Sequence, residues 1–344
     1  MIATPSVPSE LRMPAEFAPH ERTVVCWPAR DDLYGRLMPD ALDAHARVAR
    51  VIATYEPVTM IARPGAHADE ARKRCGDSVD VVELPLDDSW FRDTGPIYVV
   101  DRHRRVATDW VFNGWGGTFE PFDTDAALAR RWADYAGHEV RSVPMVLEGG
   151  SITVDGAGTL VTTAQCLLHP NRNTSLTRTE IEASLCAELG ATTVHWLPFG
   201  LADDHDTDGH VDNVAAFARP GVLAVQGCDD VDAPDHERMS ANRRWIEGAT
   251  DAAGRPIEVV EIPVLPFAEV GGRRVPVPYL NFYVGNGFVL VPVCGHAADA
   301  DMCALVGEQF PGREIVPLDV GAILAYGCGG IHCITQQIPL EPSA

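Results

Sequence analysis

The feature that most limits the fold of this 344-residue chain is a repeated order of elements. A predicted helix is followed by one strand, then by a polar or glycine-rich turn, and then by two strands joined by a tight turn. Polar residues stand where these units begin, in the order Asp93, Glu148, His210, Asn281 and Cys333. Their separations of 55, 62, 71 and 52 residues are typical of repeated supersecondary units. Units arranged around an axis would bring these five side chains to one point, whereas an α/β chain without symmetry would not.

Helices are predicted where apolar residues recur at helical spacing, over residues 40–55, 125–136, 177–189, 235–251 and 299–310. Thr177 and Glu180 form a capping-box pattern at the start of one helix, and Gly137 and Gly190 stand at helix ends. Single strands are predicted over residues 23–26, 58–62, 79–84, 193–197, 257–262 and 314–318. Strand pairs are predicted over 96–100 with 106–110, 151–154 with 159–162, 211–215 with 222–225, and 280–284 with 288–291.

The composition is that of a globular protein, with 46% hydrophobic and 22% charged residues. The net charge of −22 disfavours nucleic-acid binding and attracts small cations, although acidity also serves solubility alone. We expect neither a membrane span nor a membrane partner, and residues 1–13 do not resemble a secretory signal. Nine cysteines at scattered spacing favour reduced thiols and a cytoplasmic location. We predict one catalytic domain over residues 1–344, with residues 1–13 as an N-terminal arm, and leave a homo-oligomer open.

Two motifs place a carboxylate beside glycine. Asp93 precedes Thr94-Gly95-Pro96, a turn that leaves its side chain at the edge of a strand, where it is able to face a ligand. An aspartate in such a turn often only bonds nearby backbone. Glu148 precedes Gly149 and Gly150, which allow a ligand or another backbone to approach closely.

The densest run of titratable groups is residues 203–213. Its start resembles a calcium loop, but position 12 of that loop is Ala215, where a bidentate acid is required. A transition-metal site from His205, Asp206 and His210 is the weaker alternative, because the spacing of zinc ligands is absent. If residues 211–215 form a strand, His210 and Asp212 project from the same face.

The glycine-rich approach to Cys333, residues 327–330, leaves space beside its sulfur, which we expect to lie on a strand. Most cysteines are inert and apolar, so the neighbouring groups decide its role. Carboxylates, an imidazole and a thiol together suit a guanidinium, whose N–H groups bind carboxylates in pairs. Trp90 or Trp115 is able to cover the flat face of this cation. Cys333 would attack its central carbon, and His210 would protonate the ammonia and then activate water, with no metal or cofactor.

Five motifs, supported by three further ones, resemble the agmatine deiminase branch of the bacterial peptidylarginine-deiminase family. The five span residues 90–96, 147–150, 208–213, 279–283 and 329–337, and the further ones span 14–21, 112–117 and 171–173. The resemblance implies an α/β fold, a five-bladed pseudosymmetric α/β propeller (pentein) of repeated ββαβ units. It also implies hydrolysis of agmatine to N-carbamoylputrescine and ammonia through a covalent amidino-cysteine.

By position, the resemblance assigns Asp93 and Asp212 to holding the guanidinium, Glu148 and His210 to proton transfer, and Cys333 to nucleophilic attack. The chain departs from the family where Gly-Gly-Gly-Asn is usual, because Cys328 replaces a glycine and Gly330 replaces the asparagine. This change affects the shape near the substrate. Arginine, peptidyl-arginine or another guanidine metabolite is the alternative substrate, and a scaffold without activity is the non-enzymatic alternative.

Overall fold

The computed structural model describes residues 11–342, and within that range five mixed sheets share one strand order. In each of them an antiparallel pair is followed by a strand parallel to the second member. Four sheets are each built from one continuous stretch of chain. Their strands are Ile97–Val100, Arg105–Val111 and Glu139–Val146; Ile152–Val154, Thr159–Thr163 and Thr193–Leu197; Ala215–Arg219, Val222–Gln226 and Glu258–Ile262; and Tyr283–Gly285, Phe288–Val293 and Glu314–Asp319.

The fifth sheet joins the two ends of the described chain. Its strands run in the order Thr335–Pro339, His20–Cys26, Val58–Ala62 and Asp80–Glu83. The first two are antiparallel and the later pairs are parallel. Because the last strand lies beside the first, the segment around Cys333 is held against the N-terminal part of the chain.

A helix connects the second and third strands of each unit, as the repeated order predicts. The long helices are Met38–Ile52, Ala66–Cys75, Leu128–Ala136, Arg178–Leu189, Pro234–Ile246 and Asp299–Gln309. The predicted capping box is confirmed, since the Thr177 side chain accepts from Glu180 N and the Glu180 carboxylate accepts from Thr177 N. Gly137 and Gly190 end their helices in the left-handed conformation.

The core lies between these helices and the middle strands of the sheets. Val58–Ala62, Thr159–Thr163, Val222–Gln226 and Phe288–Val293 are buried along their whole length. A strand that is covered on both faces needs apolar residues, or polar residues with hydrogen-bond partners, along its whole length. This explains why these segments show little alternation of apolar and polar residues. No helix within residues 11–342 is long and apolar enough to cross a membrane.

The helix Ala66–Cys75 and a separate hairpin lie outside the predicted layout. Phe267–Val270 and Arg273–Pro276 form a separate two-stranded hairpin, whose turn residues Gly271 and Gly272 both have positive φ as a type I′ turn requires. In the predicted N-terminal arm, residues 1–10 lie outside the described residues. Leu11 and Met13 are buried, and Arg12 bridges to Val100.

Candidate active site

The side chains of the site stand on short helical turns that precede the strands. Such turns are Phe91–Thr94, Gly149–Ser151, Val211–Asn213 and Ile331–Ile334. The prediction of a strand over residues 211–215 is therefore wrong, because the strand begins only at Ala215. The prediction that Cys333 lies on a strand is also wrong, because that strand begins at Thr335. His210 and Asp212 thus do not share a strand face, and the helical turn sets their directions instead.

The turns bring Asp93, His210 and Asp212 together around Gly150. A Cβ atom at Gly150 would lie 2.6 Å from His210 Nδ1, 2.9 Å from Asp93 Oδ1 and 3.0 Å from Asp212 Oδ2. Only glycine leaves room at this point for the three polar groups. The side chains are all buried, so their charges interact with little screening by water.

Cys333 joins the same cluster through Asp212. Its Sγ lies 3.5 Å from Asp212 Oδ2 and 3.5 Å from Asn281 Oδ1, and Asn281 Nδ2 lies 3.3 Å from the sulfur. With the distances around Gly150, these contacts keep the sulfur within about 10 Å of both the His210 ring and the Asp93 carboxylate, close enough to share a small substrate.

Asp93 is fixed through both carboxylate oxygens. Oδ1 accepts from Gly150 N at 2.8 Å, and Oδ2 accepts from Trp115 Nε1 at 3.0 Å. Trp115, which was expected to cover the substrate, therefore directs its N–H at the carboxylate. Trp90 is buried against Gly329 and belongs to the same apolar cluster as Cys333. Both tryptophans are buried in this apolar cluster.

Glu148 is more deeply buried than its predicted role in proton transfer suggests. It is completely buried, with Oε2 3.9 Å from His210 Nε2 and Oε1 2.8 Å from Arg172 Nε, the latter an ion contact rather than an aligned hydrogen bond. Arg172 also contacts Asp208 at 2.9 Å. These contacts place Glu148 behind the imidazole, in a position to orient His210.

The shifted pKa values follow from burial and close charges. Burial, Asp212 and Asp93 raise the pKa of the Cys333 thiol well above its usual value. Burial alone would lower the pKa of His210, but Asp93, Cys166 and Glu148 raise it well above its usual value. These shifts favour the protonated form of both the Cys333 thiol and the His210 imidazole.

The pKa values of the Asp93 and Asp212 carboxylates are shifted in opposite directions. Burial raises the pKa of Asp93, and Asp212 and Glu148 add to the increase while His210 opposes it. Burial also acts to raise the pKa of Asp212, but the hydrogen bond and charge of His332 outweigh burial, so this pKa is lowered. Asp212 is thus the carboxylate that stays ionised most readily.

Three polar partners were not assigned a role from the sequence. His332 Nδ1 lies 2.9 Å from Asp212 Oδ2, His332 Nε2 lies 2.7 Å from Glu16 Oε2, and Arg172 contacts Glu148. All three residues occur in the motifs that carry the family resemblance, at 14–21, 171–173 and 329–337. Membership of such a motif was the available signal, but it did not reveal which carboxylate each residue contacts.

A cleft leads from the surface toward the thiol. Its lining includes Asn213, which accepts a hydrogen bond from Asn281 at 3.0 Å, one side chain away from Cys333. Asp203, Asp204 and Asp206 line one side, and Arg273 and Arg274 of the separate hairpin line another. Cys328, with a φ of 76°, also lines the cleft. A Cβ at Gly330 would lie 2.2 Å from Asn281 Oδ1, so the asparagine usual there would require Asn281 to move.

Potential metal ligands lie elsewhere than expected. Within residues 11–342, the ligand atoms of His205, Asp206 and His210 do not form a compact group, whereas those of Glu148, Cys166 and His210 lie within 4.8 Å of one another. A cation among these three would meet the fixed charge of Arg172 next to Glu148. The group therefore fits an ion-paired proton-transfer cluster better than a metal centre.

The sequence matches the model of the Porphyromonas-type peptidyl-arginine deiminase family over residues 12–339. The chain belongs to this family. It is 40% identical over 358 residues to the agmatine deiminase of Pseudomonas aeruginosa, with 97% of this chain and 96% of the relative covered. The structure of the agmatine deiminase of Enterococcus faecalis superposes with a TM-score of 0.93 at 32% identity, covering 97% of each chain.

A more distant neighbour shows the breadth of the fold. The inosamine-phosphate amidinotransferase of Streptomyces griseus has a TM-score of 0.56 at 15% identity, and 97% of each chain is covered. At this level the similarity concerns the fold alone. The mixed α/β architecture of the family is thus shared with a protein that transfers amidino groups.

Proposed function

We propose that the protein hydrolyses agmatine to N-carbamoylputrescine and ammonia. Agmatine deiminases are the relatives with which it shares most of its length. The observation that carries the proposal is the meeting of two carboxylates and an imidazole around Gly150, with the Cys333 thiol against one of those carboxylates. A planar guanidinium with an electrophilic carbon suits this arrangement better than a neutral amide does, because only the cation gains from both carboxylates.

Asp93 and Asp212 hold the guanidinium in this proposal. Among the described residues, Asp212 Oδ1 is buried without a hydrogen-bond partner, while Oδ2 is occupied by His332. A buried acceptor without a donor is costly, and a substrate N–H would remove that cost. Asp93 approaches the cation from its own side of Gly150, so the two carboxylates share its charge.

The substrate itself promotes formation of the nucleophile. The nearby carboxylates raise the pKa of the free Cys333 thiol, and a bound guanidinium would neutralise part of their charge and lower that pKa. The thiol loses its proton to solvent, and the thiolate attacks the central carbon and forms a C–S bond. This gives a tetrahedral adduct next to His210.

His210 completes both halves of the reaction. As an imidazolium it gives its proton to the departing nitrogen, the C–N bond breaks, ammonia leaves, and an amidino-cysteine remains. The neutral imidazole then takes a proton from water, and the hydroxide adds to the same carbon. The C–S bond breaks and the new O–H proton passes to solvent, which releases the neutral ureido product and the thiolate. Glu148 holds the ring in place and stabilises its charged form.

The second positive charge of agmatine, on its terminal ammonium group, lies in the cleft in this proposal. Asp203, Asp204 and Asp206 make one side of the cleft acidic, which favours an ammonium group. Arginine is the second candidate substrate, because Arg273 and Arg274 line the same cleft and a carboxylate would find a cationic partner there. Cys328 narrows the space between these two sides.

The same proposal includes the architecture and location. The five sheets with one strand order support a five-bladed α/β propeller that acts as a single catalytic domain. The nine cysteines, all free thiols, support a cytoplasmic location. Neither a metal nor an organic cofactor takes part in the steps proposed here.

The test measures ammonia and ureido product from agmatine, arginine and an arginyl peptide. We expect the highest kcat/KM with agmatine, complete loss in Cys333→Ala, and near-normal activity in Cys303→Ala, which removes a buried thiol from the helix Asp299–Gln309. Absence of turnover with agmatine would refute the substrate assignment. Turnover by Cys333→Ala would refute the covalent route.

A further inference from the structure

A chain of charged groups continues behind the site, away from the cleft. Asp212 Oδ2, which lies 3.5 Å from the Cys333 sulfur, also lies 2.9 Å from His332 Nδ1. The other ring nitrogen, His332 Nε2, lies 2.7 Å from Glu16 Oε2. Arg92 Nη2 lies 3.4 Å from the same Glu16 oxygen. Of these groups, His332, Glu16 and Arg92 are not needed to hold the substrate or to transfer protons in the proposed reaction.

The protonation state of His332 follows from its two partners. An ionised carboxylate has only acceptor sites, so a ring nitrogen at hydrogen-bond distance from it must carry a proton. Both nitrogens of His332 meet carboxylates, and a neutral ring would point a lone pair at one of them. The ring therefore donates from both nitrogens and is an imidazolium between two anions, Glu16 and Asp212.

The His332 imidazolium affects the reaction because it contacts a carboxylate that also contacts the nucleophile. It binds Asp212 Oδ2, the same atom that lies next to the Cys333 sulfur, and leaves Oδ1 available toward the substrate. Oδ2 accepts from both the Cys333 thiol and His332, and the shorter bond to the charged ring fixes the direction of the carboxylate. Without His332, the carboxylate would be able to rotate and turn Oδ1 away from the guanidinium. Glu16 holds the ring in the orientation that prevents this.

We propose that His332 and Glu16 are positioning residues for deimination, and that the His332 imidazolium fixes Asp212 as an oriented anion between the substrate and Cys333. The inference rests on the proposed function, since it concerns the same thiol and the same carboxylate. His332 acts through Asp212 and contacts neither the reacting carbon nor the leaving nitrogen in this account.

Glu16 provides the test with the least change in shape. Glu16→Gln keeps the volume and an acceptor oxygen but removes one of the two negative charges that favour the imidazolium; the other groups facing the ring are Asp212, which favours it, and Arg92, which opposes it. We expect the alkaline limb of the kcat/KM profile for agmatine to move to lower pH by about one unit. At pH values between the alkaline limbs of the two proteins, kcat/KM of Glu16→Gln should be up to about tenfold lower than that of wild type.

The matched control is Glu56→Gln. Glu56 forms another buried histidine–carboxylate pair, with Oε1 3.2 Å from His20 Nδ1. The His20 ring meets Glu16 only at its backbone oxygen, 2.6 Å from Nε2, so the Glu16 carboxylate and His332 keep their own contacts. We expect this variant to lose stability without moving the pH profile. His332→Gln, which keeps a donor but cannot hold a charge, should lose more activity than Glu16→Gln at every pH.

A direct measurement covers the case in which a variant fails to fold. Side-chain ¹⁵N chemical shifts of the wild-type protein should show the His332 ring with both nitrogens protonated at pH 8, in addition to the His210 ring, whose pKa is also raised. The His332 signal should shift in Glu16→Gln but not in Glu56→Gln. A neutral His332 ring, or an unmoved alkaline limb in Glu16→Gln, would overturn the inference. If wild type turned over no agmatine, or Cys333→Ala remained active, the proposed function would fail instead.

Discussion

A single methyl group at Gly150 tests the convergence on which the site depends. Its φ is not in the left-handed region, so alanine is compatible with the backbone, and the effect of Gly150→Ala comes from the added Cβ alone. That atom would lie 2.6 Å from His210 Nδ1 and 2.9 Å and 3.0 Å from the oxygens of Asp93 and Asp212. Carbon and polar atoms do not tolerate such distances, so the three side chains must separate.

The magnitude follows from the size of that displacement. Relief of these contacts requires movements of several tenths of an ångström to about 1 Å, and a displacement of about 1 Å is able to reduce activity about 100-fold. Overpacking of this kind also costs about 1–3 kcal/mol of stability. We therefore expect kcat/KM for agmatine to fall about 100-fold in a folded enzyme.

Gly321→Ala controls for overpacking itself. A Cβ at Gly321 would lie 2.4 Å from Val277 Cγ1 and 2.9 Å from the carbonyl oxygen of Val293, away from the charged cluster. The assay compares ammonia release and thermal unfolding for both variants. A similar loss of stability with normal kcat/KM is expected for Gly321→Ala. If Gly150→Ala also kept normal kcat/KM, the three groups would not act together as described.

Three further predictions concern single groups. Arg172→Gln leaves the Glu148 carboxylate buried beside His210 without its cation, which should cost about 3–5 kcal/mol in denaturant unfolding and reduce kcat; an unchanged midpoint would show that the ion pair is unimportant. Because burial and carboxylates raise the pKa of Cys333, its alkylation by neutral chloroacetamide should increase up to and beyond pH 9, while cationic chloroacetamidine should react faster near pH 7; equal rates would argue against carboxylates around the thiol. Asp206→Asn should raise KM for agmatine about tenfold with little change in kcat, and a fall in kcat alone would place Asp206 outside the distal subsite.

Much of the layout was accessible from the sequence because long periodic segments and their ends carry strong local signals. The capping box at Thr177 and the strand over Val58–Ala62 are examples in which propensity and tertiary environment agree. The hairpin Phe267–Val270 with Arg273–Pro276 was missed although Gly271-Gly272 is a hairpin signal, since charged residues interrupt its alternation.

Short turns and distant partners were less accessible. A three-residue helical turn such as Val211–Asn213 is too short to show a period, so the segment looked like the start of the following strand. His332 and Glu16 are 316 residues apart in sequence, and only the pairing of the chain ends brings them together. The depth at which Glu148 is buried likewise depends on Arg172, whose charge no local pattern assigns to it.

The most direct test of the account is the identity of the covalent intermediate. The wild-type enzyme is mixed with saturating agmatine, quenched in acid within its first turnovers, digested and analysed by mass spectrometry. We predict that the peptide containing Cys333 carries the mass of agmatine less one ammonia, and that this adduct decays as product forms. Turnover without an adduct on Cys333, or with an adduct on another cysteine such as Cys166 or Cys328, would contradict the account.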